Sequence, residues 1–329
     1  MLSANASLRI CIVGAGAIGT TLAARLALAG HTISVLARGA TLAAIRQNGV
    51  CLIDQQGQHT ANVIVSDNCS DLGEQDIIFL CTKSQSVPEL LPRLHSLFGC
   101  NTLLVPMVNG TPWWLFMEVP AAHQADAAHY IEAVDPGGKL VHCIPASAII
   151  GCVVYISAQL KAPGVACSYT SPRLVVGGIN ATADHATDNR IITLLEALES
   201  AGIATHHSRC IRDAVWSKIA ANLTSNPLSV ITGTTLEQLY SQPSLQKIVC
   251  RIFDETRMTA NAYGSDLEMT LQELLDLGAH MGAVKTSMLQ DYQQGRMLEL
   301  AAIVEGVIEL ADRKNISVPA IKTILHLTQ

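Results

Sequence analysis

Lys218 is the one charged residue in the stretch 216–230, WSKIAANLTSNPLSV. On a helix, side chains four apart lie one above another, so Lys218, Asn222 and Asn226 form a single polar stripe. An ammonium flanked by amides instead of carboxylates keeps its full charge. Such a group can orient a carbonyl oxygen, stabilise the negative charge that grows on it and hand over a proton. The competing reading is a solvated helix edge. Pro227 follows Asn226 directly and is expected to stop or kink the helix there.

A second polar cluster lies late in the chain. Lys285-Thr286-Ser287-Met288-Leu289-Gln290-Asp291 is followed by Gly295-Arg296-Met297-Leu298-Glu299, and then by an apolar helix-like run from Leu300. A carboxylate at Glu299 is welcome at a helix start for the dipole alone.

At the other end, Gly14-Ala15-Gly16-Ala17-Ile18-Gly19 forms a complete G-x-G-x-x-G between a strand-like run and a helix-like run. In that setting the first glycine permits a tight turn and the second lets backbone approach a pyrophosphate. The third packs helix on strand, and the helix N-terminus faces the phosphates. Ala17 and Ile18 supply the first helical amides. NAD-binding units place an acid about 20 residues on, for the ribose 2′-hydroxyl. Here the second strand ends in SVLARGAT, with Arg38 and no acid. A guanidinium suits a 2′-phosphate, so NADP(H) is expected over NAD(H). Loops at the carboxyl ends of further strands carry Lys83 and Asn109-Gly110. Lys83 is either a cofactor contact or an exposed loop lysine. Asn109 reads as a tight turn beside the cofactor. Trp113 and Trp114, in a chain with 4% aromatic residues, are expected to cap a cleft or an interface.

The elements that must hold these groups change character along the chain. Strand-like runs at 8–13, 32–37, 76–81 and 102–107 alternate with helix-like runs at 18–29, 41–48, 86–97 and 186–201, the pattern of a parallel sheet. Apolar runs follow at 149–156 and 173–179, and a hairpin is expected around 51–65 with its turn at Gln56-Gly57. From about residue 213 nearly everything has helical period. The expected fold is therefore α/β: an N-terminal Rossmann-type doubly wound domain, 1–208, followed by an all-α C-terminal domain, 209–329. The cleft between two such domains is a usual place for a site. Composition agrees with a folded soluble chain: 329 residues, 49% hydrophobic, 15% charged, net charge −6. The charge argues against a nucleic-acid partner. The longest apolar run is too short for a membrane span, and no signal-peptide pattern opens the chain. Ten scattered cysteines without C-x-x-C or zinc spacing fit a reducing, cytoplasmic compartment and no metal site.

GAGAIG at 14–19, VNG at 108–110, W-x-K-x-x-x-N at 216–222 with N-P at 226–227, TSMLQD at 286–291 and G-R-x-x-E at 295–299 occur in this order. Together they resemble the ketopantoate reductase (2-dehydropantoate 2-reductase) family, over nearly the whole chain. The resemblance implies NADPH-dependent reduction of a 2-keto acid, ketopantoate to pantoate, as in pantothenate biosynthesis. It implies Lys218 as general acid, with Asn222, Asn226 and Ser287 binding substrate. Glu299 would take the substrate's distal hydroxyl and complete the lysine site. Asn109 would sit by the nicotinamide, with Arg38 and Lys83 on cofactor phosphate. Substrate is expected between the domains, its carbonyl near Lys218 and its carboxylate near Ser287. Two positions depart from the family pattern: Val284 stands where an asparagine is frequent, and Ala301 where an aspartate is. Both bear on substrate identity. The alternatives are an NADP-dependent reductase of another 2-keto acid or β-hydroxyacid, an imine-type dehydrogenase, and a non-catalytic NADPH-binding regulator. The intact polar set speaks against the last. A homodimer through the helical domain is compatible with the sequence.

Overall fold

The computed structural model describes residues 7–117, 129–179 and 189–329. The chain divides into two compact units, Met1–Val108 with Cys143–Ile211, and Asn109–His142 with Arg212–Gln329.

The first unit contains β1 (Arg9–Val13), α1 (Ala17–Leu28), β2 (Thr32–Leu36), α2 (Gly39–Asn48), β3 (Val50–Asp54), β4 (Gly57–Ala61), β5 (Ile64–Ser66), β6 (Gln75–Leu80), α3 (Val87–Leu90) and β7 (Phe98–Pro106). After the excursion into the second unit come β8 (Ile150–Tyr155), β9 (Ala158–Ala162), β10 (Val165–Ser168), β11 (Arg173–Gly178), α4 (Asn189–Ser200) and β12 (Ala204–His207). A five-stranded parallel sheet runs β5-β2-β1-β6-β7, so the order reverses at β1. That switch point is where an open α/β sheet binds its ligand. After their first residue, β1 and β2 are buried throughout, the mark of a parallel sheet covered on both faces.

Of the later apolar runs at 149–156 and 173–179, the first meets this sheet through a single parallel bridge, Ile149 to Leu104 of β7. The two runs become β8 and β11, paired antiparallel in a three-stranded sheet ordered β12-β11-β8. The 51–65 hairpin is β3 and β4, with Asp54 opposite Gly57. It joins β10 and β9 in a four-stranded mixed sheet. The helix expected over 86–97 breaks into short pieces, with α3 of four residues and 3₁₀ turns around it. Pro92 accounts for the break, since inside a helix it removes an N–H and crowds the preceding turn, whereas Pro88 sits in the first turn of α3, where proline is tolerated. The expected start of the helix over 186–201 falls partly outside the described residues; from Asn189 it is α4.

The second unit holds α5 (Ile211–Thr232), α6 (Leu236–Ser241), α7 (Pro243–Ala262), α8 (Leu271–Ala279), α9 (Ser287–Gln293), α10 (Gly306–Arg313) and α11 (Pro319–Thr328). The described residues 109–117 and 129–142 belong with these helices. Arg212 donates to the Leu115 and Met117 carbonyls at 2.9 and 2.7 Å, and the Glu309 carboxylate accepts from the Glu132 and Ala133 amides. Trp113 and Trp114 are 2% and 1% exposed. They are fully buried, where the expectation had them capping a cleft or an interface, and neither indole N–H has a hydrogen-bond partner among the described residues. No described helix is long and apolar enough to cross a membrane.

Candidate active site

The glycine turn joins the end of β1 to α1. Gly14 has φ of +100°, and a Cβ there would fall 2.7 Å from Thr82 Cγ2 and 3.2 Å from the Cys81 backbone. Gly19 is tighter, since its Cβ would lie 2.0 Å from the Gly14 carbonyl oxygen. Gly16 is different in kind: it is exposed, with nothing within 4 Å of where a side chain would begin. Two glycines thus close the turn on itself, and the middle one leaves backbone open to a ligand. The first turn of α1 carries no acid and no side-chain cap, so its amides remain available to an anion.

The neighbouring strands bring the two candidate cations to the same turn. Gly14 N–H donates to Leu36 O at 3.1 Å, two residues before Arg38, which is exposed at the head of α2. Cys81 N–H donates to Val13 O at 2.8 Å, two residues before the half-buried Lys83. An open backbone cradle, an acid-free helix start and a guanidinium at the end of β2 fit the pyrophosphate and 2′-phosphate of NADP(H).

In the second unit, α5 carries Lys218, Asn222 and Asn226 on successive turns. The helix does not stop at Pro227; it continues to Thr232. Side-chain groups around the proline hydrogen-bond nearby backbone carbonyls. Thr224 Oγ1 donates to Ala220 O, Ser225 Oγ to Ala221 O, Asn226 Nδ2 to Asn222 O and Ser229 Oγ to Asn226 O. Lys218 and Asn222 are half-buried, whereas Asn226 is 4% exposed.

Asn226 Oδ1 accepts from Ser287 Oγ and from Met288 N–H, each at 3.3 Å. It therefore holds the start of α9 to α5 and sets the place of the exposed Ser287. A second bond runs alongside: Ser229 and Thr286 hydroxyls meet at 2.6 Å, both buried, and Thr286 caps α9 by accepting from Leu289 N–H. Sequence reasoning passed over Ser229; its place one turn beyond Asn226 was the available signal. Two motifs also prove to be partners. Arg296 of the G-R-x-x-E run bridges to the buried Asp291 of TSMLQD at 2.9 Å and closes the loop that precedes Glu299. Glu299 is 6% exposed, immediately ahead of a helix that begins with a widened turn at Ala301–Glu305. Asn109 is half-buried, and Thr111, two residues on, donates its N–H to Ala302 O at 2.7 Å.

Comparison with known proteins resolves what this arrangement belongs to. Residues 10–181 match the family model for ketopantoate reductase PanE/ApbA, and residues 210–329 match its C-terminal model. The chain belongs to the ketopantoate reductase family. Members are NADP-dependent oxidoreductases, and this chain is one of them. A 2-dehydropantoate 2-reductase of Mesorhizobium japonicum is 33% identical, over 98% of this chain and 97% of its own. A solved structure from Ralstonia solanacearum MolK2 is also 33% identical, with a TM-score of 0.89 over 98% of this chain and 97% of that one. D-mandelate dehydrogenase, solved with NADH and anilino(oxo)acetate, shares the fold at a TM-score of 0.80 and 20% identity, over 98% and 97% of the two chains.

Proposed function

We propose that this protein reduces 2-dehydropantoate to pantoate with NADPH, Lys218 serving as general acid. The observation that carries the reading is the α5 stripe, in which a half-buried lysine is followed at one-turn intervals by two asparagines, the second bonded to Ser287. Bound NADPH would supply a hydride to the carbonyl carbon. Lys218 Nζ lies along the carbonyl oxygen and gives it a proton as its negative charge grows, so hydride and proton together complete the alcohol. Asn222 orients the substrate one turn along. The Ser287 hydroxyl donates to the substrate carboxylate, and Asn226 acts through Ser287 by holding it in place. Glu299 accepts from the distal hydroxyl. Arg38 takes the 2′-phosphate, Lys83 a phosphate or ribose oxygen, and Asn109 steadies the nicotinamide side. The substrate is a small 2-keto acid, and we place the enzyme in the cytoplasm as a homodimer through its helical unit.

A second reading, reduction of a different 2-keto acid, is favoured by Val284, which is 40% exposed and offers no hydrogen bond from its side chain. The test is NADPH oxidation with ketopantoate, with NADH and a panel of other 2-keto acids alongside. Fast turnover confined to NADPH and ketopantoate supports the first reading. Turnover of apolar keto acids in preference would replace it with the second, and no turnover of any keto acid would sink both.

A further inference from the structure

The helix that follows Glu299 opens with one π-type turn, Ala301–Glu305. Gly306 N–H reaches back five residues to Ala301 O, where an α-helix would have it bond to Ala302 O. The Ala302 carbonyl instead accepts the Thr111 N–H at 2.7 Å. Glycines on both sides make this approach possible. A Cβ on Gly110, whose φ is +78°, would fall 2.5 Å from the Ala302 carbonyl and 2.9 Å from Ile303 N. A Cβ on Gly306 would lie 3.0 Å from both Cβ and Oγ1 of Thr111. The contact is dry: Thr111, Ala302 and Ile303 are 1%, 0% and 2% exposed, and Thr111 Oγ1 is buried with no partner among the described residues. Thr111 follows Asn109 by two residues, and Ala302 follows Glu299 by three.

We propose that the widened turn is a positioning device: by turning Ala302 O outward onto Thr111 N–H, it locks the Asn109 turn and the Glu299 helix start together as one rigid pair. Gly110 and Gly306 are its positioning residues. The inference rests on the reading of Asn109 as a cofactor-side group and Glu299 as a substrate-side group. π-Type turns recur at functional sites, and a side chain or carbonyl displaced by one is free for a tertiary bond.

The test uses the full-length protein with Gly306→Ala and Gly110→Ala, and Leu274→Ala as a control that thins the core of the same unit at α8. Amide exchange over residues 109–117 is read without cofactor. Wild type and Leu274→Ala should keep Thr111 protected, and both glycine variants should exchange it about tenfold faster or more. In the assay, Gly306→Ala should lower kcat and raise the keto-acid KM by about tenfold each, with the Kd for NADPH changed far less. In a Glu299→Gln background the same substitution should have little further effect on KM, since contacting residues are not additive. Unchanged protection in both glycine variants overturns the proposal. So does full additivity with Glu299→Gln, or lost protection with normal kinetics. If the wild-type enzyme reduces no 2-keto acid, the functional reading fails and takes the inference with it; an active wild type with additive variants fails the inference alone.

Discussion

Single side chains divide here into groups whose role is local and groups whose role is set by distant partners. Lys218 belongs to the first kind. Lys218→Ala should reduce kcat by about 10²–10⁴-fold while NADPH binding is retained, because the proton donor of the proposed reaction is lost. Near-normal kcat in that variant would dismiss the lysine as the acid. Arg38 is also local. It is exposed at the head of α2, and no ion-pair partner holds it among the described residues. A charge-assisted hydrogen bond to a 2′-phosphate is worth about 1.5–3 kcal/mol. Arg38→Ala should therefore cut the preference for NADPH over NADH, measured as the ratio of kcat/KM values, by roughly ten- to hundredfold. An unaltered ratio would remove Arg38 from the cofactor site. Asn226 is of the second kind. Its helical spacing with Lys218 was legible, but its partner Ser287 lies 61 residues away, and no local pattern announces that bond.

At the scale of elements, α5 and the start of α9 are joined by three hydrogen bonds, Asn226 with Ser287 and with the buried Met288 amide, and the buried Ser229 with Thr286. Asn226→Ala would leave the Met288 amide and the Ser287 hydroxyl without their acceptor, costing about 1–3 kcal/mol of stability in urea unfolding. It should also raise the keto-acid KM, and Asn226→Asp, which keeps the acceptor oxygen, should recover part of that rise. A loss of stability with unchanged KM would make the link structural only. Proline explains both departures of helices from their sequence signals, in opposite directions. Pro92 cuts the run at 86–97 into short turns, whereas α5 runs on through Pro227, with hydroxyl and amide side chains on either side of it bonded to helix carbonyls. The widened turn after Glu299 had no local signal. Ala301, Ala302, Ile303 and Val304 are compatible with an ordinary helix, and only the docking of Thr111 distinguishes them.

For the molecule as a whole, pH should act on the first unit through His31. The ring lies 9% exposed between Leu8 N–H, which donates into Nδ1 at 3.4 Å, and Ser200 Oγ at 3.5 Å from Nε2. Burial holds its pKa below the ordinary 6.5. As pH falls through 6.5 the unfolded chain takes up this proton first, so stability present at neutral pH is lost on acidification. Urea midpoints at about pH 7.5 and pH 5.5 should fall further for wild type than for His31→Gln. Equal losses would exclude the ring as a source of the slope. Burial likewise raises the Cys11 thiol to about 12 and pushes Cys81 and Cys152 up, as for thiols serving as small apolar side chains, and no disulfide joins any of the ten cysteines.

The contiguous patterns were determined by sequence alone. The glycine turn, the strands around it, the Lys218 stripe and the helical second half all depend on residues a few positions apart, where backbone geometry converts spacing into direction. Tertiary structure decided the rest. It set residues 109–117 and 129–142 with the α5–α11 helices, buried Trp113 and Trp114, paired β8 antiparallel with β11, and matched Asp291 to Arg296 and Thr111 to Ala302. Each of these depends on which buried surfaces and polar groups meet once the chain has closed on itself, and that meeting is governed by shape and solvent exclusion, which spacing along the chain does not encode.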